Sequence, residues 1–228
     1  MSPFAVVKDK QDVPNLDKTV KENSTGVANL SENSAQIGET VEFTIVADLK
    51  ANGENYEIVD TMTKGLTLDE ASFKYSFDNG EVAHEAPVVT KNADGSTTFS
   101  IKFTAVPTAD TKCTVVYNAV VNTDAEIYTG TNKNEAYLKY GNGSETTHKE
   151  TLTKTYPMDI KKYADGTNTI LAGAEFEMFK NTDGSQVKFT VSADGYTYTV
   201  DPNGSVTTIT TLDVHRICLC KCLFVCCL

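Results

Sequence analysis

Apolar side chains recur at every second position over much of this chain. Val41, Phe43, Ile45 and Ala47 alternate with Thr40, Glu42, Thr44 and Val46, and Phe99, Ile101, Phe103 and Ala105 alternate with Thr98, Ser100, Lys102 and Thr104. A period of two marks a half-buried β-strand, whose successive side chains point to opposite faces. The same pattern predicts strands over 16–20, 56–62, 73–77, 113–121 and 136–140. Asn52-Gly53, Asn79-Gly80, Asp94-Gly95 and Asn142-Gly143 lie between the runs and read as turns, where Gly accepts the positive φ of a tight hairpin. No window carries the i, i+3, i+4 apolar spacing of a helix, and residues 69–71 are expected to form at most one short helical turn. An all-β sandwich is expected.

The polar stretch 141–155 reads as a terminal strand or a linker. Beyond it the pattern resumes over 158–162, 175–179, 187–191 and 196–200, punctuated by Asp165-Gly166, Asp183-Gly184, Asp194-Gly195 and Asn203-Gly204. Two β domains are therefore expected, over 13–150 and 156–212. The second has too few strands for a closed sandwich and is expected to be incomplete. Residues 1–12 read as a linker from a preceding domain.

Composition narrows the function. With 20 Lys+Arg against 31 Asp+Glu the net charge is -11, and no basic cluster exists to displace counterions from a nucleic acid. No apolar stretch approaches the roughly 20 residues of a membrane helix. Of six cysteines, Cys113 alone lies in the body, while Cys218, Cys220, Cys222, Cys226 and Cys227 crowd the end. That distribution excludes a disulfide-stapled small domain. Cys113 reads as a small buried hydrophobe. Residues 213–228 are open to three readings: a palmitoylated tail, a thiol metal site, or a non-native tail, which is favoured because nothing upstream resembles it.

Strand parity exposes polar residues on inward faces. Lys18 shares a face with Leu16 and Val20, Asp60 with Tyr56, Ile58 and Met62, and Asn134 with Ala136, Leu138 and Tyr140. Taken singly, Lys18 can snorkel to the rim, Asp60 can cap the turn before Lys64-Gly65, and Asn134 can bond backbone at a strand start. Taken together they suggest chemistry. Desolvation lowers the pKa of a buried amine and raises that of a buried carboxyl. A neutral Lys18 amine is a nucleophile, and a protonated Asp60 can polarise the Asn134 carbonyl. Attack there would expel ammonia and leave a Lys-Asn isopeptide bond.

Four ordered motifs carry a family resemblance over residues 13–142. They are Val13-Pro14-Asn15-Leu16-Asp17-Lys18-Thr19-Val20, Gly38-Glu39-Thr40-Val41-Glu42-Phe43, Asp60-Thr61-Met62-Thr63-Lys64-Gly65-Leu66 and Asn134-Glu135-Ala136. This region resembles the isopeptide-forming domain of sortase-assembled Gram-positive pilin backbone subunits. The resemblance implies an immunoglobulin-like sandwich in which Lys18 and Asn134 are the bonded pair and Asp60 is the promoting acid. The second region resembles a Cna B-type domain through Met158-Asp159-Ile160-Lys161-Lys162-Tyr163 and Leu171-Ala172-Gly173-Ala174-Glu175-Phe176. There Lys162, which shares parity with Met158 and Ile160, is the candidate isopeptide lysine and Lys161 should face solvent. The family's acid-bearing segment and acceptor strand are absent, so Lys162 is expected to lack a partner. The family's secretion signal, sorting signal and Tyr-Pro-Lys pilin motif are also absent.

The resemblance implies a cell-wall-anchored pilus shaft protein whose partners are other pilin subunits joined by sortase, with no cofactor. The alternative is the stalk or binding module of an adhesin for host matrix or glycans. An enzyme with turnover is disfavoured, because His84, His148 and His215 are scattered without triad or metal spacing.

Overall fold

The computed structural model describes residues 13–127, 132–157, 160–180 and 183–212, together with the backbone of one strand at 216–218. Among the described residues there is no helix. The chain folds as β-sheets, as the period of two predicts.

Eleven strands build the first part: β1 (Asn15–Val20), β2 (Glu32–Ser34), β3 (Thr40–Leu49), β4 (Glu57–Met62), β5 (Leu66–Phe77), β6 (Val88–Lys91), β7 (Thr97–Lys102), β8 (Thr111–Val121), β9 (Asn132–Tyr140), β10 (Ser144–Glu145) and β11 (Lys149–Lys154). A four-stranded sheet has the order β1-β3-β8-β5 and is antiparallel throughout. A seven-stranded sheet runs β2-β11-β9-β4-β7-β6, with β10 paired to β9; only the β2/β11 pair is parallel. Alternation aims one face of each strand into a shared core. Val41, Phe43, Ile45, Ala47 and Leu49 of β3 are buried, as are Cys113, Val115, Tyr117, Ala119 and Val121 of β8 and Phe99 and Ile101 of β7. β-branched and aromatic residues dominate these faces because they pack well on a pleated surface.

One segment differs from the sequence reading, and a second takes one of the two forms expected of it. Residues 69–71 form no helical turn: β5 runs through them, with its register against β8 shifting between Asp69 and Lys74. The Asp69 carboxylate accepts from the Ala71 N–H at 3.1 Å and the Ser72 hydroxyl donates to the Asp69 carbonyl at 2.6 Å. Such local bonds stand in for the ladder at a bulge. The stretch 141–155 is a strand rather than a linker. β11 sits inside the sheet between β2 and β9, with Thr151, Thr153 and Thr155 buried.

The later strands are β12 (Glu175–Glu177), β13 (Phe189–Val191), β14 (Thr197–Val200), β15 (Thr208–Thr210) and β16 (Arg216–Cys218). They form a two-stranded sheet, β12-β15, and a three-stranded one, β13-β14-β16. β15 is absent from the sequence reading because Thr208-Ile209-Thr210 offers one apolar residue and no alternation to detect. Residues 160–162 lie in no strand, although Tyr163 bridges Ile170. Met158, Asp159, residues 1–12 and the side chains of the cysteine-rich tail lie outside the described residues.

Candidate functional site

The two large sheets face each other across a buried core, and four polar side chains meet inside it. β1 of the four-stranded sheet supplies Lys18, opposite Ile45 in the ladder. β4, flanked by β9 and β7, supplies Asp60, and β9 supplies Asn134, opposite Met62 of β4 and Thr151 of β11. The fourth, Tyr117, comes from β8 opposite Phe43. The Lys18 and Asp60 side chains have no exposed surface, and Asn134 and Tyr117 are equally buried. The amine of Lys18 therefore does not reach the rim, and Asp60 faces the core rather than a turn.

Tyr117 is the junction of the cluster. Its hydroxyl accepts from Lys18 Nζ at 2.6 Å and from Asn134 Nδ2 at 2.8 Å, and donates to Asp60 Oδ2 at 2.7 Å. Lys18 Nζ also donates directly to Asp60 Oδ2. Aromatic rings wall the site. Tyr117 lies against Phe43, Phe73 and Phe99 with centroids 5.6, 5.4 and 5.0 Å away, and Lys18 Nζ sits 5.3 Å from the Phe43 centroid. Two oxygens of the cluster have no hydrogen-bond partner: Asp60 Oδ1 and Asn134 Oδ1.

This environment sets the protonation states. Burial lowers the Lys18 pKa and raises that of Asp60, and in each the mutual attraction opposes the effect of burial without overcoming it. Burial is also the first cause holding the Tyr117 phenol well above its ordinary value, with the Asp60 charge adding to it. The pair is thus driven toward a neutral amine beside a protonated acid. With both donors directed at Asp60 Oδ2, the free position for a proton is Oδ1. A protonated Oδ1 is a donor, and the unpaired Asn134 Oδ1 is the acceptor such a group requires. An amine, an amide and a carboxyl group are thus enclosed together, away from solvent.

The structure brings together the three residues selected by strand parity. It adds Tyr117, which the same parity places inward beside Cys113, Val115 and Ala119; its hydroxyl on an otherwise apolar strand face is the signal that could have found it. Cys113 is buried and its thiol is pushed up to about 12 by desolvation, as suits a core residue. Lys162 lies elsewhere, partly buried, while Lys161 is exposed; no described residue pairs with the Lys162 amine. Among the described residues no group of three or more His, Cys, Asp or Glu side chains is arranged to hold a metal ion.

Comparison by sequence finds no matching family model and no matching curated protein. Comparison by structure gives Gram-positive backbone pilins. The chain is similar to the 35 kDa C-terminal fragment of the major pilin GBS80 of Streptococcus agalactiae (TM-score 0.63, 19% identity, 90% of this chain and 79% of that one). It is similar to the group B streptococcus pilus 2b backbone protein (TM-score 0.58, 19% identity, covering 90% and 79%). It also resembles the T6 backbone pilin of Streptococcus pyogenes (TM-score 0.56, 16% identity), spanning 46% of that longer, three-domain protein. This chain carries the fold of a pilin backbone subunit.

Proposed function

We propose that this chain is a structural module of a Gram-positive pilus shaft, locked by an autocatalytic isopeptide bond between Lys18 and Asn134 with Asp60 as the promoting acid. The likeness to backbone pilins supports the shaft role, and the enclosed Lys18-Asp60-Asn134 cluster is the single observation that carries the bond. In this reading residues 13–150 form the bonded unit and 156–212 a Cna B-type unit whose Lys162 stays unpaired. Other pilin subunits, joined by sortase at the cell surface, are its partners.

The reaction balances without a cofactor. Neutral Lys18 Nζ attacks Asn134 Cγ while the Asp60 proton stabilises the charge growing on Oδ1. The bond from Cγ to Nδ2 breaks, one amine proton passes to Nδ2, and ammonia leaves. An amine and a primary amide become a secondary amide plus ammonia, and Asp60 ends protonated as it began. The chemistry occurs once per chain. Intact-mass measurement on the purified protein tests it. The expected mass is lower than that of the sequence by one ammonia, with no such loss in Lys18→Ala or Asn134→Ala. A wild-type mass equal to that of the sequence overturns the bond.

A further inference from the structure

The three partners of the reaction share few direct contacts, yet all of them touch one oxygen. The Tyr117 hydroxyl has one proton and two lone pairs, and the cluster uses all three. The proton goes to Asp60 Oδ2, and the lone pairs accept from Lys18 Nζ and Asn134 Nδ2. Two consequences follow from this geometry.

The first is orientation. An amide can present either its nitrogen or its oxygen to a neighbour. A hydroxyl whose proton is committed to a carboxylate can only accept, so it holds Nδ2 toward itself and turns Oδ1 away, where that atom has no partner. Asp60 Oδ2 is likewise occupied by two donors, which leaves its own unpaired Oδ1 to carry the acid proton. One phenol thereby selects both oxygens used in the reaction. The second is proton transfer. When Nζ bonds to Cγ it carries an excess proton, and Nδ2 needs one to leave as ammonia. Both nitrogens lie within a hydrogen bond of the Tyr117 oxygen, at 2.6 and 2.8 Å.

We propose that Tyr117 is a catalytic residue of isopeptide formation, orienting the Asn134 amide and relaying a proton from Lys18 Nζ to Asn134 Nδ2. This proposal rests on the Lys18-Asn134 bond proposed above. Once Cγ is tetrahedral the Nδ2 lone pair is freed and replaces Asp60 Oδ2 as acceptor of the phenol O–H; the phenol gives that proton to Nδ2 and takes one from Nζ, so it is unchanged and the net reaction stays amine plus amide to secondary amide plus ammonia. Packing against Phe43, Phe73 and Phe99 keeps the ring from turning, so the oxygen holds its place as the nitrogens react.

The test follows ammonia loss by intact mass against time after cell-free synthesis of the full chain. Tyr117→Phe keeps the ring and removes only the hydroxyl. It is expected to form the bond roughly a hundredfold more slowly than wild type, the scale of one proton-transfer group. Circular dichroism establishes that the variant is folded. Site-specific replacement of Tyr117 by a ring-fluorinated tyrosine keeps hydroxyl and shape while making the phenol more acidic, so it reports even if Tyr117→Phe misfolds. A changed rate and pH profile there supports the relay. Equal rates for wild type and the fluorinated protein, or for wild type and a folded Tyr117→Phe, overturn it. Wild type that never loses ammonia instead removes the bond itself, an outcome distinct from failure of the relay alone.

Discussion

Replacing Asn134 by Ala removes the proposed acceptor while leaving Lys18, Asp60 and Tyr117 in contact. The bond would close a loop of roughly 115 residues, and loop closure of that length removes about 4–5 kcal/mol of unfolded-state entropy if the bond is unstrained. Asn134→Ala should therefore unfold with about 4–5 kcal/mol less stability. At roughly 2–4 °C per kcal/mol for a unit of this size, that is a fall of about 10–20 °C in Tm. Calorimetry measures the shift, and denaturant unfolding adds an independent mark. A cross-linked chain exposes less surface when unfolded, so wild type should have the smaller m-value. A wild type that has lost its ammonia yet lies within about 1 kcal/mol of Asn134→Ala, with the same m-value, would refute the loop-closure reasoning.

Three further outcomes are expected. Asp60→Ala should show no ammonia loss by mass, and should melt below the equally unlinked Asn134→Ala, because the buried Lys18 amine loses its acid partner at a cost of about 1–3 kcal/mol. His148 bonds Glu135 at 2.9 Å, which raises the imidazole pKa and lowers that of Glu135. A raised base contributes below its ordinary value and loses that contribution as pH rises through the raised one; a lowered acid contributes above its ordinary value and loses it as pH falls. The pair is therefore at full strength between the ordinary glutamate and histidine values, contributes under about 1 kcal/mol at this partly exposed site, and should show by NMR titration a His148 midpoint that drops in Glu135→Gln. Gly65→Ala would place a Cβ 2.6 Å from Ala125 Cα and 2.5 Å from Asn132 Oδ1, so thermal unfolding should register a loss of about 1–3 kcal/mol.

Parity made the candidate site legible because it rests on a local rule: if Leu16 and Val20 face the core, so must Lys18. The same rule applied to Ile58 and Met62 yields Asp60, and applied to Ala136 and Leu138 yields Asn134. What parity does not give is which faces meet. That Lys18 and Tyr117 come from one sheet while Asp60 and Asn134 come from the other depends on pairings such as β1 with β3 and β4 with β9, set by long-range closure. Parity leaves Tyr117 unmarked for a related reason. A tyrosine among Val115 and Ala119 counts as apolar in a pattern, and its hydroxyl acquires a role only once Lys18 and Asn134 lie against it. The bulge in β5 was illegible because Asp69 and Ser72 replace ladder bonds with local ones, which resemble a turn in sequence.

The placement of the proposed bond follows from how a sandwich resists load. Within each sheet, backbone ladders join neighbouring strands, but across the core the two sheets meet through side-chain contacts. Lys18 lies in the four-stranded sheet and Asn134 in the other, so an amide between them crosses that weaker boundary. Tension entering at residue 13 meets β1 within a few residues, passes through the bond to β9, and leaves by way of β11. The strands from β2 to β8 all lie inside the closed loop and cannot be extended while the amide holds. A disulfide could serve the same topology, but the core's single cysteine, Cys113, is buried with a thiol too basic to ionise readily. The proposed bond instead draws on an amine, an amide and an acid, which the folding that aligns β1, β4, β8 and β9 encloses with the Tyr117 hydroxyl.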